Sequence, residues 1–245
     1  MTKIILTNIL LFSSLIWCQV NTESIRGNHE TPGLYQNMNM SFAYISGNSS
    51  EIIFLNASYR LDYNSKSNWY GFFKTRYDRA FEKSHDDFSY KGFGHLRAVK
   101  QVLPRIQVEG FLQKEFNYFI DLENRELIGG GFRFNPFNQF FIAAGVMHEK
   151  EVYKNNQEQN FMKSTNYINY SMQPLDHVTI DNTLYFQFEM KAIEHYRLLW
   201  DGGLSFQGSD WLSFYINCNY RYDISEINKD GNSYFEITNG LSFHF

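Results

Sequence analysis

The chain has 245 residues, is 43% hydrophobic and 18% aromatic, and carries a formal net charge of −4. Its mean hydropathy of −0.42 excludes a helical membrane bundle, and no basic run points to nucleic acid. Seventeen Tyr and 24 Phe are more rings than an aqueous core needs, but they suit a membrane barrel, which puts alternate residues into lipid and belts both interfaces with aromatics.

Residues 1–18 read as a signal peptide. Lys3 supplies the positive charge, Ile4 to Trp17 supply the apolar stretch, and cleavage is expected near Cys18 and Gln19. The stretch is shorter than the roughly 20 apolar residues a spanning helix requires. The mature chain would keep one cysteine, Cys218, and so no internal disulfide. Residues 19–33 are polar and aperiodic, as in a short periplasmic lead-in.

From residue 34 to 245 the apolar period is two almost everywhere, and no stretch sustains a helical period. Strands are expected near 34–45, 51–63, 69–79, 88–100, 105–117, 125–134, 139–150, 164–172, 177–190, 196–207, 211–223 and 233–245. The expected fold is all-β, one antiparallel transmembrane β-barrel of about 12 strands, an even count that leaves both chain ends in the periplasm. Short turns (64–68, 101–104, 135–138, 173–176, 208–210) fall on the periplasmic side. Longer, more charged connections fall outside, and 153–163 is the best candidate for a contact-making loop. Trp69, Phe137, Phe140, Trp211 and Phe245 are placed at periplasmic strand ends, and Trp200 near an outer end among several tyrosines.

The inward face is charged. It carries Arg60, Lys74, Arg76, Lys91, Arg97, Arg105, Arg133, Arg197 and Arg221 against Asp62, Asp78, Glu109, Glu115, Glu149, Asp181, Glu189, Asp201, Asp223 and Glu236. The signs roughly balance. Buried charges need partners, so a lattice of ion pairs filling a narrow bore is favoured over a wide selective channel, with room for a thin aqueous path. Gly129-Gly130-Gly131 does not open a helix and is expected to bend a strand or relieve crowding.

The chain end is the most specific signal. Thr238, Gly240, Phe243 and Phe245 follow the pattern of a polar residue, a glycine, an aromatic and a terminal Phe. This resembles the signal by which outer-membrane assembly machinery docks the last strand through β-augmentation. The expected partners are therefore outer-membrane lipid and, during biogenesis, that machinery, with a further protein partner unidentified. Catalysis has little support, and neither a cofactor nor a metal is expected. The histidines lack ligand spacing, and Ser242 and His244 form only an isolated pair on the last strand.

Two stretches, 113–134 and Ala144-Gly145-Val146-Met147-His148-Glu149-Lys150-Glu151, together with 56–61 and Tyr77-Asp78-Arg79, resemble the family of salt-induced outer membrane proteins, domain of unknown function 481. The resemblance covers much of residues 35–245. It implies an outer-membrane barrel of this size and transfers no catalytic residue. The functional expectation is a narrow passive pore or an envelope-stabilising barrel. The alternatives are a barrel subunit of a larger outer-membrane assembly and an outer-membrane lipid hydrolase.

Overall fold

The computed structural model describes residues 26, 31–46, 51–82, 87–118, 121–209, 211–224 and 232–243. The expected signal peptide lies outside them, as do His244 and Phe245. Twelve strands form one sheet in chain order. They are β1 (Gly33–Ser46), β2 (Glu51–Asn64), β3 (Trp69–Glu82), β4 (Asp87–Leu103), β5 (Ile106–Asn117) and β6 (Leu122–Phe137), then β7 (Phe140–Tyr153), β8 (Glu158–Leu175), β9 (Val178–Glu189), β10 (Ala192–Ser209), β11 (Leu212–Asp223) and β12 (Asn232–Phe243). Every consecutive pair is antiparallel.

The burial pattern is inverted relative to a soluble protein. On β4 to β7, Leu96, Leu112, Ile128, Phe132 and Val146 are 48–64% exposed, whereas the alternating Arg97, Gln113, Arg125 and Glu149 are 6% exposed or less. Alternation with apolar residues outside and charges inside is what a lipid-embedded barrel requires. Charged residues on the outward face of β5 to β8 pair near one end of the strands: Lys114 with Glu126 at 2.9 Å and Lys150 with Glu158 at 2.9 Å.

Long-range contacts show how strongly the sheet curls. Tyr167 on β8 hydrogen-bonds to Glu109 on β5, and Arg197 on β10 reaches Glu149 on β7. Each pair is three strands apart, about 14 Å in a flat sheet at ~4.8 Å per strand. Glycine makes the bend possible. A Cβ on Gly131 would lie 2.4 Å from the Ala144 carbonyl oxygen, and one on Gly145 would lie 2.6 Å from that of Gly130. The strand-bending expectation for the triple glycine thus has its geometric cause in the β6–β7 crossing.

Among the described residues β1 and β12 show no register with each other, although each pairs fully with its inner neighbour. Two unpaired edges cannot persist in hydrocarbon, because each orphan backbone group there costs several kcal/mol.

Two expectations are corrected. The 153–163 loop is only a four-residue turn, 154–157, because β7 continues to Tyr153 and β8 begins at Glu158. Trp200 lies at mid-strand in β10, facing outward, with its indole N–H donating to Asn182 at 3.2 Å.

Candidate functional site

The site is the inward face. Pairing register puts odd-numbered residues inward on β4 to β11 and even-numbered ones inward on β2, β3 and β12. The inward-pointing charges read from the sequence fall on these positions except Arg105, which lies exposed in the turn between β4 and β5, and they do not form one uniform lining.

A dense ion-pair lattice occupies the end where β5 ends and β6 begins, beside the 154–157 turn. Glu149, wholly buried, takes Arg125 at 2.5 Å, Arg197 at 2.7 Å and Lys163 at 2.7 Å. Arg125 also holds Glu115 at 2.7 Å and Glu151 at 3.3 Å. Arg197 reaches Glu151 at 3.4 Å and Asp223 at 2.7 Å. The hydroxyl of Tyr153 donates to Glu151 at 2.9 Å. The chain of contacts continues from Glu115 to Gln113 at 2.7 Å and from Gln113 to His95 at 3.0 Å. His95 is packed between the rings of Phe72 and Phe111, with centroids 5.5 and 6.0 Å away. One network therefore links β4 to β11 across the bore.

A second node lies at Glu109. It accepts from Arg97 at 3.4 Å and from Tyr167 at 3.1 Å. It also pairs at 2.8 Å with Arg26, whose guanidinium sits 5.8 Å from the Tyr70 ring centre. Arg26 precedes β1, in the stretch expected to be a periplasmic lead-in, yet its side chain is 14% exposed and inside the bore. Arg133 donates to Gln107 at 3.0 Å and stacks on Phe141 at 3.4 Å. Ala143, Tyr167, Tyr185 and Leu199 form a buried apolar cluster beside these groups.

The other expected charges are more dispersed. Glu189 meets His195 at 3.3 Å, and Glu236 accepts from Tyr234 at 2.9 Å. Asp181 is exposed, and Asp201 and Arg221 are half-buried. Arg60 pairs with Asp62, and Arg76 with Asp78 at 2.7 Å. Of the aromatics, Trp69, Phe137 and Trp211 are 47–71% exposed at strand ends, and Phe140 packs on Tyr170. On β12, Thr238 is exposed, and Gly240 lies under the ring of Tyr215, whose hydroxyl oxygen would be 2.4 Å from an added Cβ. Phe243 ends β12.

Space is as uneven as charge. The recess among Arg97, Glu109, Arg125 and Tyr167 has a volume of about 40 Å³, room for one or a few waters on a measure where each needs ~10–15 Å³. The recess beside β1 to β3, whose lining includes Tyr35, Asn37, Asn39, Arg60, Asp62 and Lys74, has about 510 Å³. One wall is thus filled and the other is open. No group of three or more His, Cys, Asp or Glu converges on a possible metal position among the described residues.

Sequence reasoning missed Arg125, Glu151, Lys163 and Arg26. Arg125 and Glu151 lie at the margins of expected strands, Lys163 at the end of what reads as a loop, and Arg26 in the lead-in. Continuing the odd-numbered alternation by a few residues would have found the first three.

No curated protein matches the chain. Among solved structures, the NanC porin is similar over 86% of this chain and 99% of its own, at 9% identity and a TM-score of 0.47. The KdgM porin in complex with disordered oligogalacturonate is similar over 86% and 98%, at 12% identity and a TM-score of 0.41. The β domain of the Bordetella autotransporter BrkA is similar over 87% and 99%, at 14% identity and a TM-score of 0.39. The family model described as "Protein of unknown function, DUF481" matches residues 38–243, and the chain belongs to that family.

Proposed function

We propose that the protein is a narrow passive pore in the outer membrane of a Gram-negative bacterium, exported by a cleaved signal peptide. The observation that carries this reading is the contrast between the two walls: about 510 Å³ of space beside β1 to β3 against about 40 Å³ at Glu109. Closing β1 onto β12 turns the open recess into an enclosed polar path. The ion-pair lattice then serves as the rigid wall that keeps the path narrow. Stretches of buried, mutually paired charge hold shape and do not conduct, whereas an open polar lining supports a hydrated solute.

The test is solute efflux from liposomes containing the refolded barrel, with folding verified by heat-dependent gel mobility. Small ions and small polar solutes are expected to pass and larger oligosaccharides to be retained. Folded barrel that releases nothing would remove the pore and leave a packed, envelope-stabilising barrel.

A further inference from the structure

The open wall has a charge character that the whole-bore balance conceals. Asp62 accepts from Arg60 and from the Tyr70 hydroxyl at 2.6 Å. Asp78 accepts from Arg76 and from the Asn56 amide. Both acids are thus engaged by their own neighbours. Lys74 stands directly across from Arg60 in the β2–β3 register and two residues before Arg76. It is half-buried, and it makes no hydrogen bond or ion pair among the described residues. Lys91 follows on β4, opposite Asp78. Four cations therefore share this wall with three acids: Asp62 and Asp78, both already paired, and Glu82, which lies eight residues from Lys74 at the far end of β3.

A half-buried ammonium beside like charges is an unfavourable arrangement when the recess holds water alone. It becomes favourable around an anion, because Lys presents a compact charge with three rotatable donors. Asn37, Asn39 and Ser58 line the same recess and supply neutral hydrogen-bonding groups, and Asp62, which also lines it, is held by Arg60 and the Tyr70 hydroxyl. We propose that the β1–β3 wall holds an anion subsite centred on Lys74, flanked by Arg60, that takes a small oxyanion-bearing solute such as a phosphate or carboxylate. The subsite gives a pore of balanced total charge a local preference for anions. Passage through it rests on the pore reading, whereas binding does not.

Two measurements separate these. Phosphorus NMR linewidths of inorganic phosphate, titrated with the full-length barrel in detergent micelles, read binding without conduction. Broadening is expected with the wild type, at least fivefold weaker binding with Lys74→Gln, and retention with Lys74→Arg. Lys114→Gln, an outward-facing control, should match the wild type. In a planar bilayer under a potassium chloride gradient, the wild-type reversal potential should lie on the chloride side and move toward potassium in Lys74→Glu. Equal phosphate broadening by folded wild type and Lys74→Gln overturns the subsite, as does a reversal potential unchanged in Lys74→Glu. Lysine-dependent phosphate binding by a barrel that never conducts supports the subsite and removes the pore.

Discussion

Replacing Glu149 by Gln tests the packed wall most sharply. This carboxylate is wholly buried and is the common partner of Arg125, Arg197 and Lys163 at 2.5–2.7 Å. The three cations are themselves no more than 11% exposed, so solvent offers them little relief. Arg125 keeps Glu115 and Arg197 keeps Asp223 after the substitution, but Lys163 loses its 2.7 Å partner. Removing one member of a buried ion pair costs about 3–5 kcal/mol, because the partner charge is left desolvated. The expected loss is in that range, read from urea unfolding of the barrel in lipid vesicles by tryptophan fluorescence. Arg76→Gln is the comparison. Its side chain is 51% exposed, and an exposed pair contributes about 0–1 kcal/mol. If Glu149→Gln cost no more than Arg76→Gln, the lattice would be hydrated and the division into a filled and an open wall would be wrong.

Ile128→Arg places a charge on the outward face in the middle of β6, where the side chain is 57% exposed; it should cost about 2–4 kcal/mol, while Phe137→Arg at the strand end should cost about 0–1, and equal effects would mean that lipid does not cover this face. Gln139 holds a φ of 63° in the β6–β7 turn, a conformation that costs a non-glycine residue about 1–2 kcal/mol, so Gln139→Gly is expected to raise the unfolding midpoint slightly. Arg26→Ala removes a cation that sits 2.8 Å from Glu109 in the bore; unit conductance should rise, and an unchanged value would place Arg26 off the conducting path. Cysteine pairs scanned between β1 and β12, in a Cys218→Ala background, should form a disulfide in the folded barrel; failure at every register would leave the seam open.

The strand count was legible because period-two alternation survives wherever one face meets lipid and the other the bore. Strand length was not. Residues 154–160 read Lys-Asn-Asn-Gln-Glu-Gln-Asn, a polar run that resembles a loop. Part of it belongs to β8, which starts at Glu158, and Glu158 is outward-facing yet paired with Lys150. Beyond the apolar belt an outward residue has no reason to be apolar, so the alternation fades while the backbone pairing continues. Glu151 and Lys163, both in the lattice, were missed for that reason.

Partner choice was less legible still. Alternation sends Glu149 and Arg197 inward, but their meeting across three strands depends on the curvature that Gly129, Gly131 and Gly145 permit. The position of Arg26 had no periodic signal at all. The roughly balanced inward charge was read as a single lining, yet Asp62 and Asp78 are consumed by their neighbours and Lys74 is left over, a distinction that needs hydrogen-bond partners and not a count.

Single-channel recording from the purified barrel in a planar bilayer tests the central claim most directly. A narrow path along the β1–β3 wall predicts small, discrete conductance steps that grow with salt concentration. A barrel shown to be folded by its gel mobility, yet silent at every salt concentration, would contradict it.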